Sequence, residues 1–168
     1  MYSIEYILNK DVTLQKLQTI INIKTIAWPY PYDSQIKWIQ QNLSPLDIHV
    51  ILYKENTPVA YLNLKNTYMT VNGSSSKVYG VGNVCAVKKH EGYGKVLMEN
   101  VNSFIKTNCS IGLLFCKQPL LNFYSNLGWV LCKEENISHS HWGKNEIKVL
   151  TFNIQNVNSK IEYTGQLF

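Results

Sequence analysis

The stretch that decides the fold is Val84-Cys85-Ala86-Val87-Lys88-Lys89-His90-Glu91-Gly92-Tyr93-Gly94-Lys95-Val96-Leu97-Met98. An apolar run of strand length leads into a turn with two glycines, and an amphipathic helix follows whose inward face is Leu97, Val101, Phe104 and Ile105. The first turn of a helix presents N–H groups that have no partner inside the helix, at the positive end of its dipole. Because Gly92 and Gly94 leave the backbone open to close approach, the stretch predicts an anion site at the start of this helix.

Two common phosphate-binding loops do not account for this turn. A Walker loop needs a glycine five residues before Gly94 and a hydroxyl residue after Lys95, but Lys89 and Val96 stand in those positions. A dinucleotide-binding fingerprint needs a third glycine, and none follows. Taken alone, the glycine pair fits equally well a turn that serves only packing.

A second informative stretch covers residues 113–129. An apolar strand, Leu113-Leu114-Phe115-Cys116, precedes Pro119, which suits the first turn of a helix. That helix carries Phe123-Tyr124 and ends before Gly128-Trp129. By itself the pattern fits a core aromatic residue on a short amphipathic helix.

The rest of the chain completes a mixed α/β order of elements, β-α-α-β-β-β-α-β-α-β-β. The first helix is expected to be capped by Asp11 or Thr13 and to bury Leu14 on its apolar face, and the second to begin at Ser34. Asn72-Gly73 is a strong hairpin signal. The predicted strands are residues 3–8, 47–53, 58–64, 78–87, 111–116, 129–133 and 147–154, and residues 68–71 are expected to be further extended chain.

Together, the two stretches resemble the acyl-CoA-binding core of the GCN5-related N-acetyltransferase (GNAT) family. Its first motif is Gln/Arg-x-x-Gly-x-Gly/Ala, which residues 89–94 match with lysine in the first place, and its second is Phe-Tyr-x-x-x-Gly-Phe/Trp, which residues 123–129 match throughout. The resemblance implies a single domain over residues 1–168, built on a central twisted mixed sheet of about seven strands flanked by about four helices. It also implies acetyl-CoA as co-substrate and no metal.

The resemblance assigns roles to individual residues. Strand residues 84–87 would pair through their backbone with the pantetheine amides, and the N–H groups of about Glu91 to Lys95 would hold the pyrophosphate. Lys117 stands where the family often has an asparagine that contacts the pantetheine arm. The implied cofactor-binding set is Val84, Cys85, Ala86, Val87, Lys89, His90, Glu91, Gly92, Tyr93, Gly94, Lys95, Lys117, Phe123 and Tyr124.

Tyr124 would be the general acid that reprotonates the leaving thiolate. A phenol with a pKa near 10 stays protonated at neutral pH and can give its proton to a thiolate with a pKa of about 8.5. Such acid catalysis is typically worth about 10²- to 10⁴-fold in rate. In many relatives a carboxylate on the preceding strand acts as the base, but residues 78–87 contain neither Asp nor Glu, and Asn83 is the nearest polar candidate. Other candidates for the base are Asp47, His49, His139 and His141.

The sequence gives weaker signals for the residues that would bind the acceptor amine. In the family, the connection between the first two helices commonly borders the acceptor, and here it contains Trp28, Tyr30 and Tyr32. These three residues and His49 are the predicted substrate-binding set, with ordinary proline–aromatic packing as the alternative. Residues 49–52 and 80–84 also resemble the aminoglycoside 2′-N-acetyltransferase branch. A polycation would require several acidic groups, and the chain has only 11 acidic residues, which argues against that substrate.

Composition narrows the class of protein further. The 168 residues carry a net charge of +5, and all 16 basic residues are lysines. The lysines are scattered rather than clustered, so nucleic acid is not an expected partner. No run approaches the roughly 20 apolar residues of a membrane-spanning helix, and no signal peptide is evident, so a cytoplasmic protein without membrane contact is expected. The four cysteines, 85, 109, 116 and 132, lack the spacing of a disulfide or zinc framework.

The function expected from these observations is transfer of an acetyl group from acetyl-CoA to a primary amine of a small molecule, by direct attack of the amine on the thioester. The alternatives are a non-catalytic CoA-binding domain, an acetyltransferase directed at an aminoglycoside or a protein, and a lysine-rich nucleic-acid binder. A homodimer is left open.

Overall fold

The computed structural model describes residues 1–139, 147–156, 158–165 and 168. They cluster into two compact units: unit 1 consists of Met1–Lys65 and Gly82–Asn100, and unit 2 of Asn66–Val81 and Val101–Phe168. The expectation of one domain over 1–168 stays a prediction. No helix in the described ranges is long and apolar enough to cross a membrane.

The elements confirm the predicted mixed α/β class. The described residues form four α-helices, α1 (Leu14–Ala27), α2 (Tyr32–Asn42), α3 (Tyr93–Thr107) and α4 (Leu121–Ser125). They also form nine strands, β1 (Tyr2–Leu8), β2 (Ile48–Lys54), β3 (Thr57–Val71), β4 (Ser74–Ala86), β5 (Ile111–Lys117), β6 (Val130–Leu131), β7 (Ile137–His139), β8 (Ile147–Phe152) and β9 (Ile161–Tyr163).

The sheet is mixed. Hydrogen-bonded neighbours follow the order β1-β2-β3-β4-β5-β8-β6, and β9 pairs with both β3 and β7. The pairs β1–β2, β2–β3, β3–β9, β5–β8 and β6–β8 are antiparallel, whereas β4–β5 and β7–β9 are parallel. The predicted turn between β3 and β4 is present: Asn72 and Gly73 both have positive φ, 49° and 83°, as a type I′ hairpin turn requires.

In unit 1, α1 and α2 pack against the sheet. Their buried side chains form one apolar cluster with strand residues, consisting of Ile20, Ile21, Ile23, Ile39, Leu43, Ile51, Tyr61 and Cys85. Thr13 caps α1, and its side chain accepts a hydrogen bond from the Lys16 N–H at 3.2 Å. The prediction that Leu14 is buried was wrong: it is the first helical residue and is 83% exposed. The second helix begins at Tyr32, after Pro31, and not at Ser34.

In unit 2, a second apolar cluster holds β5 and β8 together with the shorter strands. Its buried members are Met69, Val78, Leu113, Cys132, Val149, Ile161 and Tyr163. Trp129 is buried, its Nε1 donates to Asn102 Oδ1 at 2.9 Å, and Asn102 Nδ2 donates to the Leu127 carbonyl at 2.8 Å. The strand predicted at 129–133 is reduced to β6, and β7 and β9 were not predicted.

Candidate active site

The glycine turn lies in unit 1 between β4 and α3. The Val87 N–H donates to the Val59 carbonyl at 2.9 Å, and the chain then turns through left-handed conformations at His90 (φ 64°) and Gly92 (φ 76°). α3 begins at Tyr93, so it starts between the two glycines and not after both as expected. The first i→i−4 bond runs from Val96 N–H to the Gly92 carbonyl. The N–H groups of the preceding helical residues therefore have no partner within the helix.

The side chains around this helix start are mostly turned to solvent. Lys89, His90, Glu91 and Lys95 are exposed, whereas the Tyr93 ring is buried and meets the Tyr2 ring edge-on at 6.4 Å. A Cβ on Gly92 would meet no atom within 4 Å, so its positive φ, and not crowding, favours glycine there. The turn thus offers backbone donors with lysine charges nearby.

The strand before the turn changes direction at Asn83. This residue has φ 54°, a left-handed conformation that is rare for a non-glycine residue inside a strand. The parallel register of β4 with β5 covers Val78–Val81 and ends there. Beyond Asn83, Cys85 is buried in the apolar cluster of unit 1, and its neighbours Val84 and Ala86 are half-buried.

Four buried side chains with polar groups lie in unit 1, and together with the half-buried Asn83 we call them the polar cluster: Lys24, His49, Tyr61, Asn63 and Asn83. Asn83 Nδ2 donates to Asn63 Oδ1 at 2.6 Å. Asn63 is fully buried, and its Nδ2 has no hydrogen-bond partner among the residues that the structure describes. His49 is fully buried too, with Nδ1 2.8 Å from the Tyr61 hydroxyl and Nε2 3.0 Å from Asn9 Oδ1. Burial lowers the pKa of His49 to about 4, so its ring is uncharged at neutral pH.

Sequence analysis missed three members of the polar cluster, Tyr61, Asn63 and Lys24, of which Lys24 is the charged one. It is 2% exposed, its Nζ lies 4.3 Å from the centre of the Trp38 ring, and it forms no ion pair with any residue that the structure describes. Burial lowers the pKa of Lys24 to about 8. A signal was available: Lys24 follows Ile20 and Ile21 by four and three residues, which places a lysine on the apolar stripe of α1.

Tyr124 lies in unit 2, on the single-turn helix α4. Its side chain is 6% exposed, and the Phe123 ring meets it edge-on at 4.9 Å. Burial, and to a smaller extent the neighbouring Cys116 thiol, raises the pKa of Tyr124 above its usual value. The hydroxyl makes no hydrogen bond with any residue in the described ranges. Lys117, at the end of β5, is exposed.

The predicted acceptor residues lie in unit 1 in different environments. Trp28 is half-buried against the apolar cluster, and its carbonyl accepts from Gln35 Nε2 at 2.8 Å. Tyr30 and Tyr32 are exposed, and His49 lies in the polar cluster. Of the other candidate bases, Asp47 is fully buried and its Oδ2 accepts from the Ser44 N–H at 2.7 Å, whereas His141 lies outside the described residues.

Metal binding finds no support among the residues described. Nowhere in them do three or more His, Cys, Asp or Glu side chains come together as a metal ion requires. The cysteines at 85, 109, 116 and 132 are all free thiols.

Comparison with known proteins identifies the fold. No protein-family model matches the sequence, and no curated protein is significantly similar to it. Among solved structures, the chain is similar to Escherichia coli ElaA, with a TM-score of 0.65, 14% identity and coverage of 90% of this chain and 99% of that one. It is similar to an acyl-CoA N-acyltransferase from Pseudomonas aeruginosa, with a TM-score of 0.63, 15% identity and coverage of 90% and 99%. It is also similar to a GCN5-related N-acetyltransferase from Anabaena variabilis, with a TM-score of 0.64, 13% identity and coverage of 77% of this chain and 32% of that one. The chain therefore has the fold of the GCN5-related N-acetyltransferases.

Proposed function

We propose that the protein transfers an acetyl group from acetyl-CoA to a primary amine of a small molecule. The observation that carries the proposal is the strand–turn–helix segment of residues 84–95, with its left-handed Gly92 and N–H groups that have no partner inside the helix, in a chain with the fold of N-acyltransferases. Four free cysteines suit a reducing compartment, so we place the reaction in the cytoplasm.

The pyrophosphate of acetyl-CoA binds at the start of α3. The N–H groups of Tyr93, Gly94 and Lys95 donate to its oxygens, and the helix dipole favours negative charge there. The chain has no arginine, so the exposed ammonium groups of Lys89 and Lys95 add point charges rather than a bidentate fork. Solvent-exposed ammonium groups contribute little each, so the backbone donors dominate.

The pantetheine arm pairs with the backbone of residues 84–87. The pairing of β4 with β5 ends at Val81, and beyond it Val84 and Ala86 are half-buried. The amides of the pantetheine arm can therefore form hydrogen bonds with the backbone of this segment, as an added strand would. Lys117 and Phe123 are the contacts that we assign to the arm in unit 2.

In the chemical step, the amine nitrogen attacks the thioester carbonyl carbon, the C–S bond breaks, and the sulfur leaves as thiolate. The Tyr124 hydroxyl donates its proton to that sulfur. Burial raises the pKa of Tyr124, and the same burial raises the pKa of a thiol placed beside it, so the two stay within range for proton transfer.

The acceptor nitrogen must lose a proton in the same reaction. Asn83 is a carboxamide and takes no proton at neutral pH, but its Oδ1 can accept a hydrogen bond from the amine and orient it. The proton then passes to water. Trp28, Tyr30, Tyr32 and His49 are the acceptor-side residues in this proposal.

The test measures release of CoA thiol from acetyl-CoA across a panel of amines that includes amino acids, polyamines, an aminoglycoside and peptides. Acetylation of a small amine, verified by mass spectrometry, supports the proposal. Because no carboxylate occurs in residues 78–87, a non-catalytic CoA-binding domain is the second candidate. Tight CoA binding in calorimetry without thiol release for any acceptor would favour that candidate.

A further inference from the structure

We propose that the acceptor carries a carboxylate group, and that the Lys24 ammonium and the free Asn63 amide hold that carboxylate in unit 1. The proposal rests on the acetyl-transfer function above and narrows its acceptor to short amino-carboxylates. The observation behind it is a buried positive charge and a buried hydrogen-bond donor that both lack a partner in the described part of the chain.

The first missing partner is an anion for Lys24. Removing an ammonium from water is costly unless an opposite charge and hydrogen bonds replace the hydration. The Trp38 ring, 4.3 Å from Nζ, supplies only a cation–π contact. Lys24 is the one lysine among the buried residues of the structure as described, and an anionic ligand would pair with it directly.

The second missing partner is an acceptor for Asn63 Nδ2. Asn63 lies directly across the β2–β3 register from His49, so the two side chains lie on the same face of the sheet. Ile20, Ile21 and Ile23 of α1 pack in one apolar cluster with Ile51 and Tyr61, which share that face of the sheet with His49 and Asn63, so α1 carries Lys24 over the same face. A carboxylate has two oxygens, one for the ammonium and one for the amide N–H.

Within the described ranges, the ionisable groups around Lys24 leave its charge uncompensated. Burial raises the pKa of the Cys85 thiol to about 12 and lowers that of His49 to about 4, so both are neutral at pH 7. The Asp47 carboxylate already accepts a hydrogen bond from the Ser44 N–H. One buried ammonium matches a monoanion, and a phosphate dianion would require a second buried cation.

Asn83 connects this position with the proposed reaction site. It is half-buried, hydrogen-bonded to Asn63, and adjacent to residue 84, where the proposed pantetheine segment begins. A ligand whose carboxylate reaches Asn63 would therefore extend past Asn83 toward that segment. Because one residue, Asn83, links Asn63 to that segment, we expect the amine and the carboxylate of the acceptor to be separated by only a few bonds.

The direct test measures binding of N-acetylglycine, N-acetyl-β-alanine and N-acetyl-4-aminobutyrate, each against its carboxamide, with and without saturating CoA. Calorimetry gives the affinities, and the NMR signal of the Asn63 side-chain NH₂ reports occupancy of the site. We expect at least one carboxylate to bind roughly 10- to 100-fold more tightly than its amide. We expect Lys24→Met to remove that preference, and the matched control Lys37→Met, on the exposed side of α2, to retain it.

Several results would overturn the proposal: equal affinity for carboxylates and amides, no binding of any of the three carboxylates, or an unchanged preference in Lys24→Met. Thiol-release kinetics separate this inference from the function on which it rests. If amines without a carboxylate are acetylated with an equal kcat/KM, the carboxylate site is wrong and acetyl transfer stands. If carboxylates bind in a Lys24-dependent way and no amine is acetylated, the site stands and acetyl transfer fails.

Discussion

Replacing Lys24 with methionine should change how the stability of the protein depends on pH. Burial lowers the pKa of this lysine from 10.5 to about 8, so the folded state holds the proton less tightly than the unfolded chain. At about 1.4 kcal/mol per pKa unit, the charged lysine destabilises the folded state by about 3 kcal/mol at pH 7. That cost is fully present below pH 8 and disappears as pH rises to 10.5, because the unfolded chain binds more protons across that window.

The ionisable groups near Lys24 titrate outside the range from pH 8 to 10.5. The pKa of His49 is lowered to about 4, that of Cys85 is raised to about 12, and that of Tyr61 is raised well above its usual value, so none of them titrates between pH 8 and 10.5. Lys24→Met removes the charge while keeping an unbranched chain in contact with Trp38.

The assay is urea unfolding of the wild-type protein and the variant at half-unit steps from pH 7 to 10.5. The free-energy difference between the two should change by about 3 kcal/mol across the series, with Lys24→Met favoured most at pH 7. Lys37→Met, with its side chain in solvent, should run parallel to the wild type. A difference between wild type and Lys24→Met that stays constant with pH would show that the ammonium is hydrated in the folded protein, and would refute the reasoning.

Three further predictions concern the candidate site and its support. Tyr124→Phe should lower kcat by about 10²- to 10⁴-fold while CoA affinity stays near normal, and a near-normal kcat in steady-state assays would leave Tyr124 as a core aromatic. Gly92→Val should weaken CoA binding far more than Lys89→Ala, because valine resists the positive φ and blocks the backbone; calorimetry giving the reverse order would place the phosphate contacts elsewhere. Asn102→Ala should lower the free energy of unfolding by about 2 kcal/mol in urea titrations, since it removes the partner of the buried Trp129 Nε1, and a loss within error would mean that water replaces the amide.

Local patterns predicted the elements that local chemistry controls. The hairpin at Asn72-Gly73 and the cap at Thr13 were readable because turn and cap geometry depend on a few adjacent residues. The glycine turn was located too, although its helix starts at Tyr93, two residues earlier than the pattern implied. The predicted burial of Leu14 was wrong because the side chain at the first position of a helix can point away from the sheet against which the later turns pack.

Long-range pairing accounts for most of what the sequence could not predict. β7 and β9 are three residues each, and their existence depends on partners distant in the chain, β9 pairing with both β3 and β7. The polar cluster has the same origin: nothing local in the sequence pairs Asn63 with Asn83, and only the pairing of two strands brings them within hydrogen-bond distance. Of the three members that sequence analysis missed, Lys24 alone carried a local signal, as a charge on the apolar stripe of α1.

The left-handed backbone at Asn83 limits how this position can vary among chains that share the fold. Glycine would keep the turn of the strand but leave Asn63 Oδ1 without its donor, and a β-branched residue would keep neither. Substitutions at 83 should therefore be confined to asparagine, aspartate and glycine, with the residue at 63 changing in step. That covariation gives a way to recognise relatives too divergent for overall identity to reveal.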